Sequence, residues 1–331
     1  MLRAVSDLGQ VRLKLHRVRA AVGEIDRAFL DTPALPCAPL GRALGCSVTL
    51  KVETLNPVRS FKGRGTETVA AVACEHRAAR VVCASAGNLG QALAYSGRRR
   101  GLEVTVVAAR TANPLKLRQI AALGADVRLD GEDIEDARLL AREIAAADGA
   151  YLVEDSLDLA TCEGAATIGL ELVRDDPGLD VVLVAVGAGA MASGVGYAVR
   201  SLAERAEVIG VQPVGAPAMA LSWRQRAVVE TDRIETIADG VAGRCPIPEV
   251  LADLLVVLDD VMLVGEQSIK AGMRMLYEHA GLVVEPSAAL GVAAVLEEPE
   301  RFAGRRVTTI LCGSNVGPAD FARWVLEPVT R

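Results

Sequence analysis

Ser60-Phe61-Lys62-Gly63-Arg64-Gly65 sets one lysine between small residues, after Asn56-Pro57 and ahead of a helix-like run from Thr66 to Ala79. A lysine amine held against a carbonyl, with its charged form disfavoured, is a covalent catalyst. Most lysines beside glycines are solvated surface residues, so the segment alone says little. Three later stretches raise its weight, because each could hold one part of the same ligand.

Val184-Ala185-Val186-Gly187-Ala188-Gly189-Ala190-Met191 runs from an apolar stretch into a helix. Small residues there let backbone N–H groups approach an anion, and the helix dipole favours it. The stretch is not a dinucleotide fingerprint, because Ala192 stands where the third glycine would be. Nor is it a Walker loop, since no Gly-Lys-Ser/Thr follows. A tight strand-to-helix turn would carry the same residues. Ser85-Ala86-Gly87-Asn88-Leu89-Gly90 is a second such turn, whose N–H groups and Ser85 hydroxyl could cradle a carboxylate while the Asn88 amide bonds a phenolic oxygen. An N-cap serine and a turn asparagine would look alike. Cys312-Gly313-Ser314-Asn315 closes the last apolar run, and a small side chain there could face a ring nitrogen or be a buried cysteine.

The elements that must position these loops alternate regularly. Strands are expected at Val48–Val52, Arg80–Ala84, Glu103–Ala108, Ala125–Leu129, Ala150–Glu154, Val181–Val186, Val208–Val211, Leu254–Leu258 and Val307–Leu311. Helical segments fall between them, and residues 213–250 read as irregular. The apolar run Val181–Val186 suits a strand buried on both faces of a parallel sheet. Strand–helix alternation specifies open parallel sheets covered by helices, with ligands gathered at the carboxyl ends of strands. The loops at 85–90, 187–194 and 313–317 all follow expected strands, which is the first reason to treat them as one site.

The 331-residue chain is long for a single core, so two domains are expected. Aromatic residues are 3% of it, leaving the core to Ala, Val and Leu. A net charge of −6 without a basic block argues against nucleic-acid binding. No apolar run is long enough to span a membrane or lead secretion, and the chain reads as soluble and cytoplasmic. The seven cysteines are widely spaced with no C-x-x-C pair, and the three histidines are scattered. Neither a disulfide framework nor a zinc site follows from that spacing.

Taken together, these stretches resemble the fold-type-II pyridoxal-phosphate enzymes of the threonine/serine dehydratase and serine racemase group. The resemblance covers Thr32-Pro33, Leu50-Lys51-Val52-Glu53, the Lys62 segment, the Ser85 loop, Gly164–Leu172, Gly187–Gly194, Ile237–Val241, Val284-Glu285-Pro286-Ser287 and Leu311–Asn315. It implies a tryptophan-synthase-beta-like fold of two open, mostly parallel twisted sheets flanked by helices. Residues 1–50 and 152–331 would form the large cofactor-binding domain, and residues 51–151 a small mobile one. It implies pyridoxal 5'-phosphate held by Phe61, Lys62, Asn88, Gly187, Ala188, Gly189, Ala190, Met191 and Cys312. Lys62 would carry the Schiff base and act as the base on the α-carbon, Asn88 would bond the 3-oxygen, and Cys312 would face the ring nitrogen. Ser85, Ala86, Gly87, Asn88 and Leu89 would hold the substrate carboxylate, and a homodimer is implied.

Departures from the family pattern refine the reaction. Ala86 replaces the serine that racemases use as a second acid/base, so racemisation ranks low. Gln212 to Ala218 contains no carboxylate where metal-dependent members have them, and no metal site is expected. Ala188 and Ala190 stand where glycine is common, which is tolerable if both keep negative φ. Leu89 replaces the usual histidine, and Asp155-Ser156 differs near the site mouth. A thiol such as Cys312 cannot keep a ring nitrogen protonated as a carboxylate would, which suits elimination. The expected activity is α,β-elimination from a β-hydroxy or β-substituted amino acid such as threonine or serine, giving a 2-oxo acid and ammonia. A cysteine-synthase-like or threonine-synthase-like replacement enzyme is the alternative, followed by a racemase or a non-catalytic binding protein.

Overall fold

The computed structural model describes residues 5–327, and these build two sheets. The strands are β1 (Ala34–Pro36), β2 (Ser47–Val52), β3 (Arg80–Ala84), β4 (Glu103–Ala108), β5 (Asp126–Leu129), β6 (Tyr151–Val153), β7 (Val181–Ala185), β8 (Glu207–Pro213), β9 (Asp260–Val264) and β10 (Arg306–Leu311). Six form one sheet in the order β1-β2-β10-β7-β8-β9, and four form the other in the order β5-β4-β3-β6. Every pairing is parallel except β1 with β2. The fold is the expected pair of mostly parallel sheets flanked by helices.

Side-chain alternation explains how the smaller sheet is covered. Val81 and Cys83 of β3, with Val104 and Val106 of β4, join a core under helices Lys62–Glu75 and Asn88–Arg99. Val82 and Val107 point the other way and meet Ala137, Ala141 and Ile144 of helix Ile134–Asp148. A period of two across a parallel sheet demands helices on both faces. The larger sheet carries the main core, with β7 buried along its whole length.

Helix Lys62–Glu75 is nearly all buried because it lies between the two sheet systems. It packs tightly on helix Leu159–Asp175, and a Cβ at Gly164 would come within 2.4 Å of the Arg64 carbonyl oxygen. The expected domain boundaries at 50/51 and 151/152 each fall inside a strand, β2 and β6 respectively. Residues 1–4 and 328–331 of the expected large unit lie outside the described residues.

Two expectations need correction, and one element was not foreseen. Leu254–Leu258 is not a strand: helix Pro248–Val257 covers most of it, and the strand is β9 immediately afterwards. Short apolar runs are ambiguous in period, and here Pro248 at the first turn and burial of Val250, Leu251, Leu254 and Val257 mark a helix face. The stretch 213–250 contains helix Ala218–Gln225. The edge strand β1 escapes pattern reading because it is three residues long and includes a proline.

Candidate active site

The chain segments that follow β2, β3, β6, β7 and β10 converge at the carboxyl ends of the parallel strands. Asn56 shapes the first of them. Its Oδ1 accepts from the Val58 and Ser60 N–H groups, and its Nδ2 donates to the Glu53 and Ser60 carbonyls. Arg59 takes a positive φ of 52° inside this turn. The turn is then fastened to the loop after β10, as Phe61 N–H donates to Cys312 O (2.9 Å) and Ser314 N–H to Arg59 O (2.9 Å). Lys62 therefore starts its helix from a fixed point.

All the residues singled out in the sequence border one cavity of about 360 Å³: Phe61 and Lys62, the loop Ser85–Leu89, the turn Gly187–Met191, and Cys312. Lys62 Nζ lies 2.5 Å from Asp155 Oδ2 and 4.9 Å from the centre of the Phe61 ring. Asn88 is locked at both ends of its amide. Its Nδ2 donates to Glu285 Oε1 (2.8 Å), and its Oδ1 accepts from Asn315 Nδ2 (2.8 Å). Asn315 also donates its backbone N–H to Glu285 Oε2 (3.1 Å). The Ser85 hydroxyl accepts from the Gly87 N–H at 3.1 Å, which tightens its loop.

The turn Gly187–Met191 opens helix Ala190–Leu202. Gly189 takes φ +116°, while Ala188 and Ala190 are not among the residues with positive φ. The one position that needs glycine has it, and the two methyl groups cost nothing. A Cβ at Gly189 would also meet Val250 Cγ1 at 2.3 Å. Ser156, buried and itself at φ 69°, accepts the Ala190 N–H through its Oγ at 2.8 Å.

Electrostatics sort the ionisable groups. Burial pushes the Cys312 thiol well above its ordinary value, and the nearby Glu285 charge adds to this, so the group stays a thiol at neutral pH. Burial also raises Glu285, and Asp239 raises it further, against Lys116 and the donors from Asn315 and Asn88. Cys83 and Cys162 are pushed up to about 12 by burial and are inert.

A family model described as pyridoxal-phosphate dependent enzyme matches residues 25–313. The chain belongs to this family. The L-threonine ammonia-lyase of Thermotoga maritima is 34% identical over 305 residues, covering 92% of this chain and 76% of that protein. Phenylserine dehydratase of Ralstonia pickettii is 34% identical over 283 residues, covering 84% and 86%. Maize serine racemase superposes with a TM-score of 0.88 at 25% identity over 94% of this chain and 96% of that one.

The residues of this pyridoxal-phosphate enzyme fit the cofactor. The cavity falls within the size of small-ligand sites, roughly 300–1,000 Å³. One side offers helix-start N–H groups for a phosphate, another an amine, and between them stand an amide and a neutral thiol. Two buried polar atoms on its wall, Asp155 Oδ1 and Ser287 Oγ, find no partner in the protein. Unpaired buried polar atoms on residues that border a cavity suit a polar neighbour there.

The sequence reading missed part of this site. It sets Asp155 and Ser156 near the site mouth but gives them no role; they follow β6 after Glu154, and an acidic–hydroxyl pair at the carboxyl end of a parallel strand was the available signal. Glu285, Ser287 and Asn315 lie in motifs of the resemblance, but their place around Asn88 shows only in space. In the stretch without carboxylates, Gln212 Oε1 accepts the Ala220 N–H at 2.9 Å. Among the described residues no group of metal-ligating side chains gathers.

Proposed function

We propose that the enzyme is an ammonia-lyase that eliminates the β-substituent of a β-hydroxy amino acid of the threonine, serine or phenylserine kind, yielding a 2-oxo acid and ammonia. The observation that carries this reading is the setting of Lys62: it borders the cavity together with a neutral thiol rather than a carboxylate at Cys312, while Lys116, the other lysine on that wall, is paired with Asp239. Relatives named for threonine ammonia-lyase and phenylserine dehydratase support it. Pyridoxal phosphate, when bound, supplies the electron sink that acidifies the α-proton.

The protein's own groups do the rest. Gly187 to Met191 would hold the phosphate, with Ser156 fixing the Ala190 N–H at the helix start, Phe61 and Asn88 would orient the ring, and Cys312 would be the neutral partner of its nitrogen. Ser85 to Leu89 hold the substrate carboxylate. Lys62 takes the α-proton. Ala86 brings no hydroxyl to the loop, so no second base is supplied there and the reaction runs from one side.

We read the β3–β6 unit as the small domain that moves against the rest, and the assembly as a cytoplasmic homodimer. No helix among the described residues is long and apolar enough to cross a membrane.

A panel of β-substituted amino acids tests the function. Release of 2-oxo acid and ammonia without an added nucleophile is expected, and product that forms only with a thiol or amine would make this a replacement enzyme. Lys62→Ala is expected to lower kcat/KM by more than about 10³-fold. The borohydride-sensitive absorption band of the bound cofactor disappears with it.

A further inference from the structure

The elimination leaves a proton on the wrong atom. Once Lys62 has taken it from the α-carbon, a β-hydroxyl group still needs one to depart as water, because hydroxide is a poor leaving group. The acids around the cavity are few. Glu285 is tied by Asn88 and Asn315, Asp239 is paired with Lys116, and the Cys312 thiol is held high. Asp155 is differently placed. Its Oδ2 touches Lys62 Nζ at 2.5 Å, and its other oxygen is buried without a protein partner.

Asp155 is also the acidic side chain that borders the main cavity and both neighbouring cavities, of about 130 and 290 Å³. Those two are lined beyond it by Arg138, Pro246 and Ile247. Arg138, which lines all three cavities, is engaged by Glu135 at 2.6 Å.

We propose that Asp155 is a catalytic residue that carries the proton from Lys62 to the departing β-group. The α-carbon proton passes to Nζ, and its bonding pair becomes the Cα–Cβ double bond. Nζ gives a proton to Oδ2, and the carboxyl gives one to the β-oxygen as the Cβ–O bond breaks with its electron pair. Water leaves, Lys62 is again a neutral amine and Asp155 a carboxylate, so no further reactant is needed. The assignment rests on the elimination reading and adds to it the acid that serves poor leaving groups.

L-Serine and β-chloro-L-alanine separate the two ideas, because chloride departs without a proton. In Asp155→Asn, kcat/KM for L-serine is expected to fall by about 10²-fold or more, the usual contribution of a general acid. For β-chloro-L-alanine the loss stays within a small factor. The affinity for pyridoxal phosphate and the cofactor band keep their wild-type values, and L-serine recovered from D₂O still shows α-deuterium by NMR. Equal losses on both substrates, or loss of α-exchange, overturn the proposal and leave Asp155 a positioning residue for Lys62. The wild-type protein gives a check independent of any variant's folding: a solvent isotope effect on kcat/KM larger for L-serine than for β-chloro-L-alanine is expected, and equal effects overturn the proposal. Failure of the elimination reading is distinct, since the wild type would then release 2-oxo acid from neither substrate.

Discussion

In the proposed elimination Lys62 would be the base and Cys312 a silent partner. The amine sits 2.5 Å from the Asp155 carboxylate, whereas the thiol is kept neutral by burial. A neutral group at the ring nitrogen leaves carbanion stabilisation incomplete, which matters little when the negative charge departs with the leaving group. Cys312→Ser is therefore expected to keep kcat/KM for elimination within about tenfold, a change of under about 1.4 kcal/mol in barrier. A loss of 10²-fold or more in steady-state assays would show that the sulfur itself acts in the reaction. Lys62 was legible in the sequence because glycine neighbours and a following helix flagged it. Its partner Asp155 was not, because 93 residues separate the two and their contact depends on how β6 pairs with β3.

Helix Lys62–Glu75 is held in place by a buried charge cluster two residues beyond the lysine. Arg64 donates to Glu53, Glu171, Thr32 and Thr167, and Lys51 donates to Glu171 and the Thr32 carbonyl. Two cations balance two anions with their hydrogen bonds largely met, the condition under which buried ion pairs are tolerable. Burial by itself would raise the Glu171 carboxyl, but the hydrogen bond and charge of Arg64, then those of Lys51, bring it from 4.5 down to about 2. A carboxyl held lower in the folded protein stabilises it above pH 4.5, and that contribution is lost as pH falls towards 2. Glu171→Gln is expected to cost about 3–5 kcal/mol in urea unfolding at pH 7. The deficit should narrow as the pH is lowered through that window, and a pH-independent deficit would rule the ion cluster out as its source. The residues of the cluster come from β2, two helices and a loop, so the motif Leu50-Lys51-Val52-Glu53 announces charged residues without saying what they face.

Across the whole molecule, two ion pairs bridge the elements of the two sheets over the cavity. Lys116, on helix Pro114–Ala122 beside β4 and β5, pairs with Asp239 of the segment between β8 and β9. Arg244 of the same segment pairs with Asp133, the N-cap of helix Ile134–Asp148, at 3.0 Å. Partly exposed pairs of this kind contribute about 0.2–1 kcal/mol each. If the smaller unit moves, these contacts favour its closed position. Lys116→Ala combined with Arg244→Ala is expected to leave the Tm within a few degrees while KM rises about two- to fivefold per pair. An unchanged KM with a lowered Tm would make the bridges structural fastenings instead.

By itself the sequence determined the alternation of strands and helices, and with it the parallel sheets and the loops that bear a ligand, because both follow from local period and small-residue turns. It also supplied the candidate lysine, the helix-start turn and the small residue at Cys312, each of which announces itself within a few consecutive residues. Only the tertiary structure decided that Asp155 lies against Lys62, that Glu285 and Asn315 fix both ends of the Asn88 amide, and that Ser156 caps the Ala190 N–H. It also decided that Leu254–Leu258 belongs to a helix and its end rather than to a strand. The reason is the same in each case: a contact between distant segments is set by strand order and helix packing, which no short window of residues contains.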